Sequence, residues 1–128
     1  PLYWGFFIGI VLARFVLSLH TPPSDHDTTQ RIVKFANACL AQGHTIDAIF
    51  LYQQGIYHAS THFDLSSDEL QISALWQQLA DQKLNLMLCV TAAQKRGLDI
   101  KNTGVFKVAG LAEFAMLASD ADKWVQFK

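Results

Sequence analysis

The sequence of 128 residues is poor in cysteine, with only Cys39 and Cys89, fifty positions apart. Two cysteines are too few for a disulfide framework, and their spacing is not that of a structural zinc site. The cysteine content therefore predicts a protein of the reducing cytoplasm.

Net charge is also small, and long basic stretches are missing. Ten Lys and Arg residues are balanced by eleven Asp and Glu, and the longest basic run is Lys95-Arg96. This pattern argues against a protein that binds nucleic acid directly. With 51% apolar residues, the chain is long enough to form one domain with a real core.

Glycine-rich cofactor motifs are absent as well. The turn after the first predicted strand contains Thr21-Pro22-Pro23-Ser24-Asp25, where a dinucleotide-binding protein or a P-loop would carry glycines. We therefore predict no cofactor. One alternative stays open, a flavin whose phosphate contacts hydroxyls of this loop, although we interpret the loop as a solvated helix cap.

The histidines do not form a metal motif. His58 and His62 are four positions apart, but they fall in a predicted loop without a nearby carboxylate or thiol, so we predict no metal site. His20 and His26 flank the first turn. A histidine within reach of Cys89 would shuttle a proton or favour the thiolate, but we interpret each one as an exposed loop residue.

An apolar run from Leu2 to Leu12 opens the chain, and Arg14 ends it. It is too short to span a bilayer, which takes about 20 residues, and it lacks the flanks of a signal peptide. We interpret residues 1–13 as an N-terminal extension that need not belong to the native protein, and residues 14–128 as the domain. An interfacial membrane role for residues 1–12 is the alternative.

Beyond residue 13, short apolar runs alternate with stripes of helical spacing. The runs predict strands at 14–20, 46–52, 84–90, 105–108 and 123–127. The stripes predict helices through 32–40, 72–79, 91–96 and 111–118, with a polar loop at 53–60. This alternation is typical of a parallel sheet with helices on both faces. Cys39 lies inside the first helical stripe and is interpreted as core.

Cys89 is the residue that points most directly to chemistry. It ends an apolar run and precedes a short helix closed by Gly97, which predicts a position at the carboxyl edge of the sheet. Open α/β folds place ligands and reactive groups at that edge. A helix N-terminus there favours the thiolate, the nucleophilic form of cysteine. The alternative is a small buried core residue.

Several separate segments resemble the DsrE/DsrF-like sulfur-relay family, and together they extend over residues 14–128. The most informative are Tyr52-Gln53-Gln54-Gly55-Ile56-Tyr57-His58-Ala59 and Leu84-Asn85-Leu86-x-x-Cys89-Val90, followed by Ala92-Ala93-x-x-Arg96-Gly97. Further matches lie in 14–23, 35–44, 67–79, 110–115 and 125–127. The family often has glycine in the first turn, where this chain has Ser24-Asp25-His26.

The resemblance implies a three-layer α/β/α fold around a five-stranded, mostly parallel sheet. It implies a heterohexamer completed by TusB-like and TusC-like subunits. Together with the charge and cysteine content, we expect a cytoplasmic complex without direct contact of this chain to nucleic acid or membrane. A TusA-like carrier would supply sulfur, and a TusE-like acceptor would take it for 2-thiolation of the tRNA wobble uridine. The persulfide-bearing cysteine of the family falls on Cys89.

The segment 54–60 is the predicted rim of this site, where Tyr57 and His58 would contact the persulfide or the incoming partner. Because the substrate would be the cysteine of another protein, we expect a shallow, open site. Two alternatives remain: the same relay in dissimilatory sulfur oxidation, and a noncatalytic assembly subunit in which Cys89 is buried.

Overall fold

The computed structural model describes residues 11–60 and 67–128, so His62 lies outside the described residues. Its strands are β1 (Arg14–Leu19), β2 (Thr45–Leu51), β3 (Leu86–Cys89), β4 (Lys107–Ala109) and β5 (Lys123–Phe127). Its helices are α1 (His26–Ala41), α2 (Ser67–Asp81), α3 (Val90–Lys95) and α4 (Leu111–Asp120), and a 3₁₀ helix spans Gln53–Ala59. No helix in these two ranges is long and apolar enough to cross a membrane.

The strands form one sheet in the order β4-β3-β2-β1-β5, and every neighbouring pair is parallel. The predicted α/β class and parallel sheet are confirmed. Strand ends differ by one or two residues. β4 begins later than predicted because a turn precedes it, in which the Phe106 N–H donates to the Thr103 carbonyl at 3.1 Å and the Thr103 hydroxyl donates to the Phe106 carbonyl at 2.6 Å.

Helices cover both faces of the sheet, because successive side chains of a strand point to opposite sides. On one face, the ring of Phe35 in α1 contacts Phe15 and Phe127 at centroid distances of 5.6 and 5.7 Å. On the other face, Phe50 of β2 stacks on Phe114 of α4 at 4.4 Å. The result is the three-layer α/β/α architecture.

Helix α1 has clear signals at both ends. The Asp25 carboxylate accepts from the Thr28 backbone N–H at 3.1 Å and from its hydroxyl at 2.8 Å, which caps the helix and holds the pKa of Asp25 below its usual value. Beyond the last turn, Gly43 takes a left-handed φ of +87°. Cys39 packs in the buried stripe of α1, as predicted, and burial raises the pKa of its thiol.

The prediction of a polar loop at 53–60 is wrong, because residues Gln53–Ala59 form the 3₁₀ helix. Its ends are closed by bonds from the Gly55 N–H to the Tyr52 carbonyl at 2.9 Å and from the Ser60 N–H to the Tyr57 carbonyl at 3.1 Å. Ile56 is fully buried as the segment packs on β3 and α3. The few apolar residues of this segment thus form a side that packs on the core, although its mostly polar composition predicts a loop.

Candidate active site at the carboxyl edge of the sheet

The carboxyl ends of β1, β2 and β3 lie side by side, because these strands are neighbours and parallel. His20 follows β1, Tyr52 and Gln53 follow β2, and Cys89 is the last residue of β3. Cys89 keeps an extended backbone, with φ −73° and ψ 118°, and α3 begins at the next residue. Its predicted position, at a strand-to-helix junction on this edge, is confirmed.

Cys89 lines a cleft of about 340 Å³. The other lining residues come from the end of β2, from α3 and its C-terminal end, and from α4: Tyr52, Gln53, Thr91, Ala92, Lys95, Arg96 and Leu111. Only 2% of Cys89 is exposed, and β3 lies between β2 and β4 in the sheet. The thiol is therefore more enclosed than the shallow, open site expected from the sequence.

The cleft is electropositive. Lys95 and Arg96 both line it, and no described lining residue carries a carboxylate. Within the described part of the chain neither cation forms an ion pair; the Arg96 guanidinium donates instead to the Ala92 carbonyl at 3.4 Å. Unpaired cations in a cleft attract anionic groups of a ligand.

A chain of polar side chains runs from β5 to the cleft. Trp124 Nε1–H donates to Ser18 Oγ at 3.0 Å, and Ser18 Oγ lies 2.9 Å from His20 Nε2. His20 Nδ1 in turn lies 3.0 Å from Gln53 Oε1. Because the Gln53 oxygen can only accept, His20 Nδ1 carries the proton and Nε2 accepts from the Ser18 hydroxyl. His20 is half-buried, so the expectation of an exposed loop residue is wrong for it.

Gln53 has an uncommon backbone conformation, with φ +52°. The left-handed region is unfavourable for a residue with a Cβ, and such residues are frequent at functional sites. Nothing in the sequence marks Gln53, although the rule that places ligands at the carboxyl ends of strands covers any residue directly after β2.

His58 lies elsewhere and is buried, which corrects the expectation of an exposed loop residue. Trp76 Nε1–H donates to its Nδ1 at 3.1 Å, and its Nε2–H donates to the Thr21 carbonyl at 3.1 Å. It lines a second cleft, of about 180 Å³, while Tyr57 is half-buried against the core. Neither residue lines the Cys89 cleft, and their role as its rim stays a prediction.

Burial makes the stability of the protein depend on the protonation of His58. Desolvation lowers its pKa from 6.5 to about 4, so between these values only the unfolded chain binds the proton. The stabilisation is complete above pH 6.5 and is lost as the pH falls to about 4. We expect the free energy of unfolding to drop by about 3 kcal/mol from this group alone.

Denaturant unfolding of the wild type and His58→Gln between pH 7 and pH 4 measures this contribution. The stability difference between the two proteins should shrink by about 3 kcal/mol as the pH falls. His26→Gln, at an exposed position on α1, is the matched control and should follow the wild type. Parallel pH curves for the wild type and His58→Gln would contradict the expectation.

The sheet and its edge define a small α/β protein with a free thiol where such folds bind their ligands. Residues 13–127 match the model of the DsrE/DsrF-like family, and the chain belongs to this family. The resemblance noted in the sequence is thereby confirmed.

Curated relatives align with nearly the whole domain. The chain is 32% identical to "Sulfurtransferase TusD" of Cronobacter sakazakii, with 89% of this chain and 99% of the relative covered. It is 30% identical to "Putative sulfurtransferase DsrE" of Allochromatium vinosum, at 89% and 98% coverage. The crystal structure of the YchN protein of E. coli has the same fold, with a TM-score of 0.75, 18% identity, and 91% and 100% coverage.

Proposed function

We propose that the protein is a persulfide sulfurtransferase that accepts sulfur on Cys89 and passes it to a thiol of a partner protein. The observation that carries this proposal is the contrast between the two thiols. Cys89 lines the cleft at the carboxyl edge of the sheet, whereas Cys39 packs in the core along α1. Relatives named sulfurtransferases, aligned over 89% of the chain, support the same role.

The reaction is an exchange of one S–S bond for another. The Cys89 thiolate attacks the outer sulfur of a donor persulfide, the S–S bond of the donor breaks, and the donor leaves as a thiolate that takes up a proton. An acceptor thiolate then attacks the outer sulfur of the Cys89 persulfide and releases the Cys89 thiolate. No net oxidation occurs, so neither step needs a metal or a cofactor. Both follow the rules of thiol–disulfide exchange.

In the persulfide proposal the sulfur that reacts with the acceptor is the outer one and not the enclosed Cys89 Sγ. An S–S bond of about 2 Å carries the outer sulfur that far from the Cys89 Sγ, which is itself buried at the cleft. In this proposal the outer sulfur extends into the cleft, where the acceptor thiolate meets it.

The partners follow from the family resemblance. In this proposal a TusA-like carrier supplies the sulfur and a TusE-like acceptor takes it for 2-thiolation of the tRNA wobble uridine in the cytoplasm. The relative named DsrE supports an alternative, in which the same relay serves dissimilatory sulfur oxidation.

Exposed apolar side chains support assembly with TusB-like and TusC-like subunits. Met116 of α4 is 71% exposed, Leu111 50%, and Trp124 of β5 49%. Large exposed apolar side chains are frequent at protein interfaces, and in this proposal the partner subunits cover Met116 and Trp124.

A second candidate is a noncatalytic assembly subunit, and the 2% exposure of Cys89 favours it. Intact mass separates the two. The chain, purified with its partner subunits, is incubated with a cysteine desulfurase, cysteine and the small carrier. A sulfurtransferase gains one sulfur atom and loses it again to the acceptor. An unchanged mass would leave the assembly subunit as the function.

A further inference from the structure

We propose that the polypeptide that exchanges sulfur with Cys89 carries carboxylates two to four residues from its own reactive cysteine. This inference rests on the proposed function and specifies the partner of the same site. It follows from the charges of the cleft and from the distance between them and the thiol.

The charges all have one sign. Lys95 is exposed, Arg96 is half-buried, both line the cleft, and neither is paired with a carboxylate of the described residues. Because no described lining residue is acidic, a partner segment in the cleft meets two positive groups and no negative one. Carboxylates are the protein groups that complement such a surface.

The distance between Cys89 and Lys95 indicates that the two cations act on the partner chain more than on the reacting sulfur. Cys89 directly precedes α3, and Lys95 is its last residue. At 1.5 Å per residue, the two lie about 9 Å apart along the helix, close to the screening length of about 8 Å at physiological salt. An extended chain advances about 3.3 Å per residue. A partner that lies along α3 with its cysteine at Cys89 therefore reaches the cations about three residues away.

Synthetic persulfide peptides test this proposal. Three peptides carry one cysteine persulfide and differ at positions two to four residues away, which hold Asp, Asn or Lys. The rate of sulfur transfer to the complex is followed by intact mass at low salt. We expect the Asp peptide to load the wild type about fivefold faster than the Asn peptide, with the Lys peptide slowest and the differences reduced at high salt.

Charge reversal supplies the matched comparison. The double variant Lys95→Glu/Arg96→Glu should prefer the Lys peptide, so the readout is an inverted preference and not a loss. Lys34→Glu/Lys83→Glu changes the net charge equally, outside the cleft, and should keep the wild-type preference. Equal rates for the three peptides would overturn this inference and leave the proposed function intact. Failure of every peptide and of the enzymatic donor to load Cys89 would overturn both.

A second inference rests on the polar chain that ends at Gln53. The geometry points to His20 as a positioning residue that holds the Gln53 carboxamide at the cleft. The His20 Nδ1–H donates to Gln53 Oε1, which leaves the Gln53 NH₂ group as a donor. A donor in the cleft stabilises the thiolate that forms when the S–S bond breaks. Gln53 lines the cleft with a left-handed backbone, a conformation that costs strain and that recurs at functional sites.

Single-turnover transfer rates test this second inference, which also rests on the proposed function. His20→Ala and Gln53→Ala should each slow transfer about fivefold, the range of one hydrogen bond. Because both act through one donor, the double variant should be no slower than either single variant. Rates that multiply in the double variant would overturn the inference, while any measurable transfer by the wild type preserves the proposed function.

The Gln53→Gly variant distinguishes loss of the Gln53 carboxamide from loss of stability. Glycine adopts a positive φ without strain, so the melting temperature should not fall, while transfer slows as in Gln53→Ala. A wild-type transfer rate in Gln53→Gly would contradict the positioning role.

Discussion

We expect Cys89→Ser to abolish the gain of sulfur from a persulfide donor, whereas Cys39→Ser should gain as much sulfur as the wild type. A serine hydroxyl cannot form a persulfide, and it is not a nucleophile unless a base activates it. Both cysteines belong to the buried core cluster, but Cys89 also lines the cleft, whereas Cys39 does not and burial raises the pKa of its thiol. Intact mass after incubation with the donor system measures the difference.

The two variants control for each other. Both replace a buried cysteine with a residue of similar size, so Cys39→Ser shows what a buried Cys→Ser change does away from the cleft. A full sulfur gain in Cys89→Ser, or its loss in Cys39→Ser alone, would contradict the assignment of the site.

The Gly55→Ala substitution should cause a large loss of stability. A Cβ at Gly55 would lie 2.1 Å from the Leu19 carbonyl oxygen and 2.9 Å from its carbon. Both are backbone atoms at the end of β1, where the same oxygen accepts from the Tyr52 N–H at 3.0 Å. The clash can be relieved only if the 3₁₀ helix moves away from the sheet. We expect a loss of about 3 kcal/mol in the free energy of unfolding.

Gly110→Ala is the matched control, because a Cβ at Gly110 meets no atom within 4 Å and its φ is −89°. Its stability should stay within about 0.5 kcal/mol of the wild type. Denaturant unfolding of both variants in one buffer compares them. Equal stability of Gly55→Ala and Gly110→Ala would show that the close packing of the 3₁₀ helix on β1 is not required.

The order of strands and helices can be predicted because the spacing of apolar residues differs between the two kinds of element. Apolar runs separated by helical stripes are enough for the parallel sheet, and the same patterns distinguish the two cysteines. Cys39 falls inside a stripe with 3.6-residue spacing, whereas Cys89 ends an apolar run. Strand positions alone therefore place Cys89 at the ligand-binding edge.

The surroundings of the site depend on contacts that no local pattern contains. His20 belongs to a chain that begins at Trp124, over a hundred positions away in the sequence. His58 is buried because the indole of Trp76 and the Thr21 carbonyl satisfy its ring. Both histidines look like exposed loop residues until their partners are known.

Helix α4 shows a further limit of the pattern. Its stripe of Leu111, Phe114, Ala115 and Ala118 predicts a core-facing side, but only Phe114 is fully buried. Periodicity shows that a helix has an apolar side and does not show whether its own chain or another subunit covers it.

The most direct test of Cys89 as the sulfur carrier is to locate the added sulfur. After loading, the free and persulfide sulfurs are alkylated, and the protein is cleaved after lysine and arginine. This places Cys89 in peptide 84–95 and Cys39 in peptide 35–83. We expect the additional sulfur on peptide 84–95 and its loss when the acceptor is added. Sulfur on peptide 35–83, or on neither peptide, would contradict the assignment of Cys89 as the carrier.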